Sequence, residues 1–217
     1  MRDASTTYRR ELLMATLIHD RYIEREIIVR RQRLGQDHYD EVWNGVYFMA
    51  PMANDEHQDV AGSLYSLFRG VIQEAGLGIA RPGINLTDRA ANWKKNYRVP
   101  DVAVFLNGTS AINCGTHWFG GPDLAIEVVS KKDRTKKKLG FYGKVGTREL
   151  LIVDRYPWNL SWYRLAGEEL ELVASTSVET GVWLELQVLP LKLRLIAGVD
   201  RPRIEVRQND GGKNWIV

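Results

Sequence analysis

The sequence predicts an α/β fold: a mixed central sheet flanked by helices, with additional antiparallel strands in the C-terminal third. Three observations carry this expectation. Two apolar runs of strand length, 99–106 and 124–129, are followed by a helical segment and a third apolar run at 149–153. Strand, helix, strand over about thirty residues reads as a right-handed βαβ unit with a parallel pair. After Asp154 the pattern changes to short strands joined by polar turns such as Ala166-Gly167-Glu168. With 217 residues, 44% of them hydrophobic, the chain can bury one sizeable core, and seven Trp and nine Tyr favour an ordered one.

The elements follow in order. Tyr8 to about Gly35 reads as a charged helix with Leu12, Leu13, Leu17, Tyr22, Ile23 and Ile27 on its apolar side. Residues 41–49, rich in β-branched and aromatic side chains and ending at Pro51, read as a strand. The clearest helix comes next. Asn54 or Asp55 caps it, and His57, Val60, Ala61, Leu64, Leu67, Phe68 and Val71 recur at helical spacing up to a stop at Gly76. Residues 77–86 are an expected strand and 87–97 a polar loop. Strands at 99–106 and 124–129 flank a glycine-bearing connection. Asp133 to Val145 is an expected helix with Leu139, Tyr142 and Val145 inward, ended by Gly146. Short strands are expected at 160–165, 170–173, 183–188 and 191–196, and a polar, partly disordered tail from Arg201. The domain reading is a helical extension at 1–36, one main domain at 37–198 and a tail at 199–217.

Composition narrows the function classes. A net charge of +3 says little about nucleic acid, but the run Lys131-Lys132-Asp133-Arg134-Thr135-Lys136-Lys137-Lys138 concentrates positive charge in one place. Cys114 is the single cysteine, which excludes a disulfide framework and a cysteine zinc site. His19, His38 and His117 have no ligand spacing. Met1 to Tyr22 lacks the continuous apolar core of a signal peptide, and no segment reaches membrane-spanning length, so the cytoplasm is the expected compartment.

Two carboxylates stand out. Asp101, in Arg98-Val99-Pro100-Asp101-Val102-Ala103, and Glu127, in Leu124-Ala125-Ile126-Glu127-Val128-Val129, each interrupt an apolar strand. Burying an unpaired acid is costly, and a divalent cation resolves two at once. Mg²⁺ takes one or two protein carboxylates, often with a carbonyl oxygen. Asp101, Glu127 and the main-chain carbonyl of Val128 would supply that set, and the basic run would hold an anionic substrate beside it. A plain strand-edge acid after Pro100 is the alternative for Asp101. Asp123 repeats the Pro-Asp pair but reads as a strand-start residue.

The order of these short motifs resembles a known family. Val99-Pro100-Asp101-Val102-Ala103, then Glu127-Val128-Val129-Ser130, then a lysine four residues before Tyr142, then Gly146 with Glu149-Leu150-Leu151-Ile152-Val153-Asp154, is similar to the Uma-two family of restriction-endonuclease-like proteins, within the PD-(D/E)XK nuclease superfamily. The likeness runs from about Glu41 to Asp154 and includes Asn44-Gly45-Val46, Met49-Ala50-Pro51 and the helix opening at His57. It implies a restriction-endonuclease-like sheet and DNA cleavage dependent on Mg²⁺ (or Mn²⁺). Asp101 and Glu127 match the superfamily acids. The superfamily lysine sits two residues after the acid, where this chain has Val129; Lys138 matches the family's helical position, with Lys131 as runner-up. His57 is implied to line the site, and Glu41 to extend the metal shell through water. DNA is the expected partner, and a homodimer the expected assembly, since cutting two strands takes two sites. The rival reading is a DNA-binding or regulatory protein that keeps the fold without turnover; a weaker one is an interaction domain with ordinary salt bridges.

Overall fold

The computed structural model describes residues 21–130 and 134–217. Helix α1 (Arg21–Arg33) belongs to an N-terminal unit that ends at Asp37. Arg30, Arg31 and Arg33 occupy its last turn, where the helix dipole favours cations. The part of the expected helix before Arg21 lies outside the described residues.

The second unit, from His38 onward, opens with β1 (Glu41–Trp43) and β2 (Val46–Phe48). The sequence suggests a single strand there. Asn44 and Gly45 instead take positive φ, 50° and 89°, and fold the segment into a hairpin. Helix α2 (Asp55–Glu74) has the predicted cap, with the Asn54 side chain accepting from the His57 amide at 3.0 Å. The expected strand at 77–86 is two, β3 (Gly78–Pro82) and β4 (Leu86–Thr87), which enter different sheets because Gly83 turns the chain at φ 50°. Likewise β5 (Tyr97–Arg98) and β6 (Val102–Leu106) part at Pro100, which has no N–H for a ladder. The expected polar loop before β5 holds a 3₁₀ turn, Trp93–Lys95, and the glycine-bearing connection holds β7 (Ile112–Asn113) and β8 (Trp118–Phe119).

Strand β9 (Leu124–Val128) is buried along its whole length. The helix expected from Asp133 is a 3₁₀ turn, Thr135–Lys138, running into the short α3 (Leu139–Lys144). Gly140 and Gly143 weaken the helical preference of this segment. Gly143 is required by packing, because a Cβ there would meet the Glu168 carbonyl oxygen at 2.3 Å. Gly143→Ala should therefore cost about 1 to 3 kcal/mol and lower the melting temperature by roughly 2 to 10 °C. An unchanged melt would mean that α3 is free to shift away from the turn at Glu168.

The remaining strands are β10 (Glu149–Arg155), β11 (Trp158–Ala166), β12 (Glu169–Thr176), β13 (Leu184–Glu185), β14 (Leu191–Ile196), β15 (Arg203–Gln208) and β16 (Asn214–Ile216). The last two replace the expected irregular tail: Ile204 and Val206 fall on alternate positions of β15 and are buried in the core.

The class is the expected one, mixed α/β with antiparallel strands behind. The central sheet has the order β12-β11-β10-β9-β6-β3, and β9 with β10 is its parallel pair. Alternation divides its side chains. Val102, Val104, Leu124, Ile126, Leu151 and Val153 share one core with α2 and the C-terminal sheet β13-β14-β15-β16. Ala103, Phe105, Ala125, Leu150 and Ile152 share a second core with Phe141 and Tyr142 of α3 and with Leu86 and Trp118 of the third sheet, β2-β1-β5-β4-β8-β7. Burial on both faces explains the nearly unbroken apolar runs. Glu127 has the parity of Ala125, so it emerges on the face that α3 covers.

Candidate active site

The two acids meet because β6 and β9 are antiparallel neighbours. Their last paired residues are Val102 and Ile126, and one more step of that register sets Asp101 across from Glu127. Asp101 completes the pairing with its side chain. Its Oδ2 accepts from the Val128 amide at 2.7 Å, and its Oδ1 lies 2.9 Å from Nε2 of His57. The other ring nitrogen of His57 is 3.2 Å from the Ser130 hydroxyl. The cap of α2 is thus what delivers His57 to the ends of both strands. The N–H and C=O of one strand residue point to the same edge, so the Val128 carbonyl faces the gap that Asp101 borders.

Glu127 is held from the other side. The Lys138 ammonium lies 3.0 Å and 3.1 Å from its two oxygens, and the Tyr142 hydroxyl donates to Oε1. Lys138 also lies 2.9 Å from Oε1 of Glu41. In a 3₁₀ turn, residues three apart eclipse one another. Thr135 and Lys138 accordingly share the buried side, while Arg134, Lys136 and Lys137 are exposed. Lys131 and Lys132 lie outside the described residues.

Burial dominates the electrostatics of this centre. Burial pushes the Glu127 carboxyl up to about 8, with the Asp101 and Glu41 charges adding to the rise and Lys138 opposing it. Burial and Glu127 together hold the Tyr142 hydroxyl well above its ordinary range, so it remains a donor. Between pH about 4.5 and about 8 the folded protein keeps a proton on Glu127 that the unfolded chain gives up. The folded state then binds more protons, so its stability falls as pH rises through that window. Without added metal, the melting temperature should drop between about pH 4.5 and about pH 8, and Glu127→Gln should flatten the drop. Parallel pH curves for the two proteins would remove Glu127 as the cause.

Several contributors carry no mark in the sequence. Arg98 is buried with its guanidinium between the rings of Trp43 (4.6 Å) and Phe141 (4.4 Å), and it donates to the Val42 carbonyl at 2.8 Å. Burial lowers its pKa, against the pull of Glu41 and Glu127. Arg155 donates to the Val129 carbonyl and to Oδ1 of Asn54, each at 3.2 Å, and lies 3.4 Å from Glu56. Tyr39 is exposed and packs against Gly83, whose amide donates to the Asp101 carbonyl at 3.3 Å. Burial and the Asp101 charge push its hydroxyl up. The rings, carbonyls and acids that tie these residues to the site are far away in sequence, so no local pattern marks them.

The donor set suits a hard divalent cation. Asp101, Glu127 and the Val128 carbonyl all offer oxygen, the donor type such an ion takes. Among the described residues no three His, Cys, Asp or Glu side chains converge as a ready-made metal cluster. A cation that takes one or two carboxylates and keeps several waters does not require one.

The mixed sheet thus brings two strand-end acids and a buried lysine to one place. The chain belongs to the Uma2 family, described as "Putative restriction endonuclease", which matches residues 29–197. A crystal structure of "a putative nuclease belonging to DUF820" from Anabaena variabilis shares the fold, with a TM-score of 0.50 and 21% identity over 61% of this chain and 75% of that one. No curated protein matches the chain. Among the described residues no helix is long and apolar enough to cross a membrane.

Proposed function

We propose that the protein is a divalent-metal-dependent endonuclease that hydrolyses DNA phosphodiester bonds, with a PD-(D/E)XK site whose lysine has moved to a neighbouring segment. One observation carries the reading: the Lys138 ammonium contacts both oxygens of Glu127, although eleven positions separate the two residues. Asp101, Glu127 and the Val128 carbonyl would hold Mg²⁺ or Mn²⁺, which when bound polarises the phosphoryl oxygen and activates a water. The chain supplies the rest. Lys138 places a fixed cation where the transferred phosphoryl group gains charge. His57 orients Asp101 through the Nε2–Oδ1 contact. Exposed Arg134, Lys136 and Lys137 offer charge to the DNA backbone. On this reading a homodimer cuts the two strands of a duplex, and the cytoplasm is its compartment.

Supercoiled plasmid incubated with Mg²⁺ or Mn²⁺, and with chelator as control, tests the proposal directly. Nicking or linearisation that requires the metal supports it. Calorimetric metal binding without cleavage would favour the non-cleaving DNA-binding rival. Neither binding nor cleavage would leave the acids as ordinary salt-bridge partners.

A further inference from the structure

Glu41 is more tightly fixed than a side chain that reaches toward a metal shell needs to be. Its Oε1 accepts from the Val99 amide at 2.8 Å, and its Oε2 accepts from the Trp43 indole at 2.7 Å. The first bond ties it to the segment leading into Asp101, and the second to its own hairpin. The side chain is buried, and the Lys138 ammonium is 2.9 Å from Oε1. One ammonium therefore bridges two carboxylates, Glu41 and Glu127, that belong to different sheets.

That geometry sets up a competition. A cation bound by Glu127 would compete with the Lys138 ammonium for the charge of the same two oxygens. An ammonium displaced from Glu127 into a buried site with no second carboxylate would be left unpaired, which is strongly unfavourable. Glu41 supplies the second partner without any movement of the backbone.

We propose that Glu41 is the positioning residue for Lys138: it holds the ammonium in place beside Glu127 when that carboxylate also serves the metal. The assignment rests on the metal-dependent nuclease reading and deepens it. It differs from a role for Glu41 in the cation's own shell, because the carboxylate acts through the lysine. Removing it should let Lys138 settle wholly on Glu127, which weakens metal binding and misplaces the charge needed in turnover.

A double-mutant cycle on the full-length protein separates the two roles. Glu41→Gln should lower kcat by about 10- to 100-fold and weaken Mn²⁺ binding measured by calorimetry. In a Lys138→Met background both effects should shrink below about threefold. Equal losses of Mn²⁺ affinity in the two backgrounds would put Glu41 in the metal shell and overturn the assignment. Glu41→Asp keeps the charge but withdraws it by a methylene, and should give the same coupling if Glu41→Gln does not fold. A protein that binds Mn²⁺ and cleaves DNA but shows no coupling refutes this role alone. A protein that does neither refutes the nuclease reading and this role with it.

Discussion

Asp101→Asn and Glu127→Gln should each abolish metal-dependent DNA cleavage, with a loss of about 10²- to 10³-fold or more, while the fold survives. Each substitution keeps the shape of the side chain and removes the charge that attracts a cation. The metal-free variants should be no less stable than wild type, because burial and the Asp101 charge both penalise ionised Glu127, and each variant removes part of that penalty. In Asp101→Asn the side-chain carbonyl oxygen can still accept from the Val128 amide, and in Glu127→Gln the Lys138 ammonium keeps Glu41 as its partner. The check is a pair of melts with and without Mg²⁺. At a hundredfold excess over the dissociation constant, wild type should gain about 2.7 kcal/mol from the ion, or roughly 5 to 10 °C. Both variants should gain nothing. A wild type that metal does not stabilise, or a variant that gains as much as wild type, would show that these acids hold no cation.

Lys138→Met is expected to reduce turnover by about 10²- to 10³-fold and yet preserve metal binding. The thioether keeps the apolar stem and removes only the ammonium. Glu127 and Glu41 would then face each other with no cation between them, so the metal-free protein should lose about 3 to 5 kcal/mol. Added Mn²⁺ should recover much of that. Lys137→Ala, at an exposed neighbour on the same turn, should keep wild-type turnover and lose only part of the salt-dependent DNA affinity. Val129 packs against the core on the Glu127 side of the sheet, so Val129→Lys combined with Lys138→Met should restore part of the activity. Equal modest losses at 137 and 138 would reduce the turn to a DNA-contacting surface.

Much of the central architecture is legible in residue spacing. The α2 stripe runs at helical period behind a capping Asn54, and the runs holding β9 and β10 bracket a helical stretch, which is why their parallel pairing can be foreseen. What is not legible is where strands break to enter another sheet. Gly83 and Pro100 each sit inside an apolar run, and the sequence alone does not say that the chain crosses between sheets there. Asp101 and Glu127 can be picked out because a charge inside an apolar strand is conspicuous. Lys138 cannot be told from its lysine neighbours by composition. Its distance from Tyr142 singles it out, whereas the physical reason for its burial is a 3₁₀ turn that eclipses it with Thr135. Arg98 and Arg155 stay hidden because the groups that tie them to the site are tens of residues away.

The Asn54–Arg155 contact has a consequence for how this neighbourhood can change over generations. The Asn54 amide oxygen serves the helix end and the buried guanidinium at once. Replacing Asn54 would uncap α2 and also strip an acceptor from an arginine that water barely reaches, so the penalty exceeds that of a cap alone. Replacing Arg155 by itself would release the Val129 carbonyl and take away the cation beside Glu56. Descendants that alter one of these positions are therefore under pressure to alter the other, and the two should drift as a pair while the exposed cations at 136 and 137 vary independently.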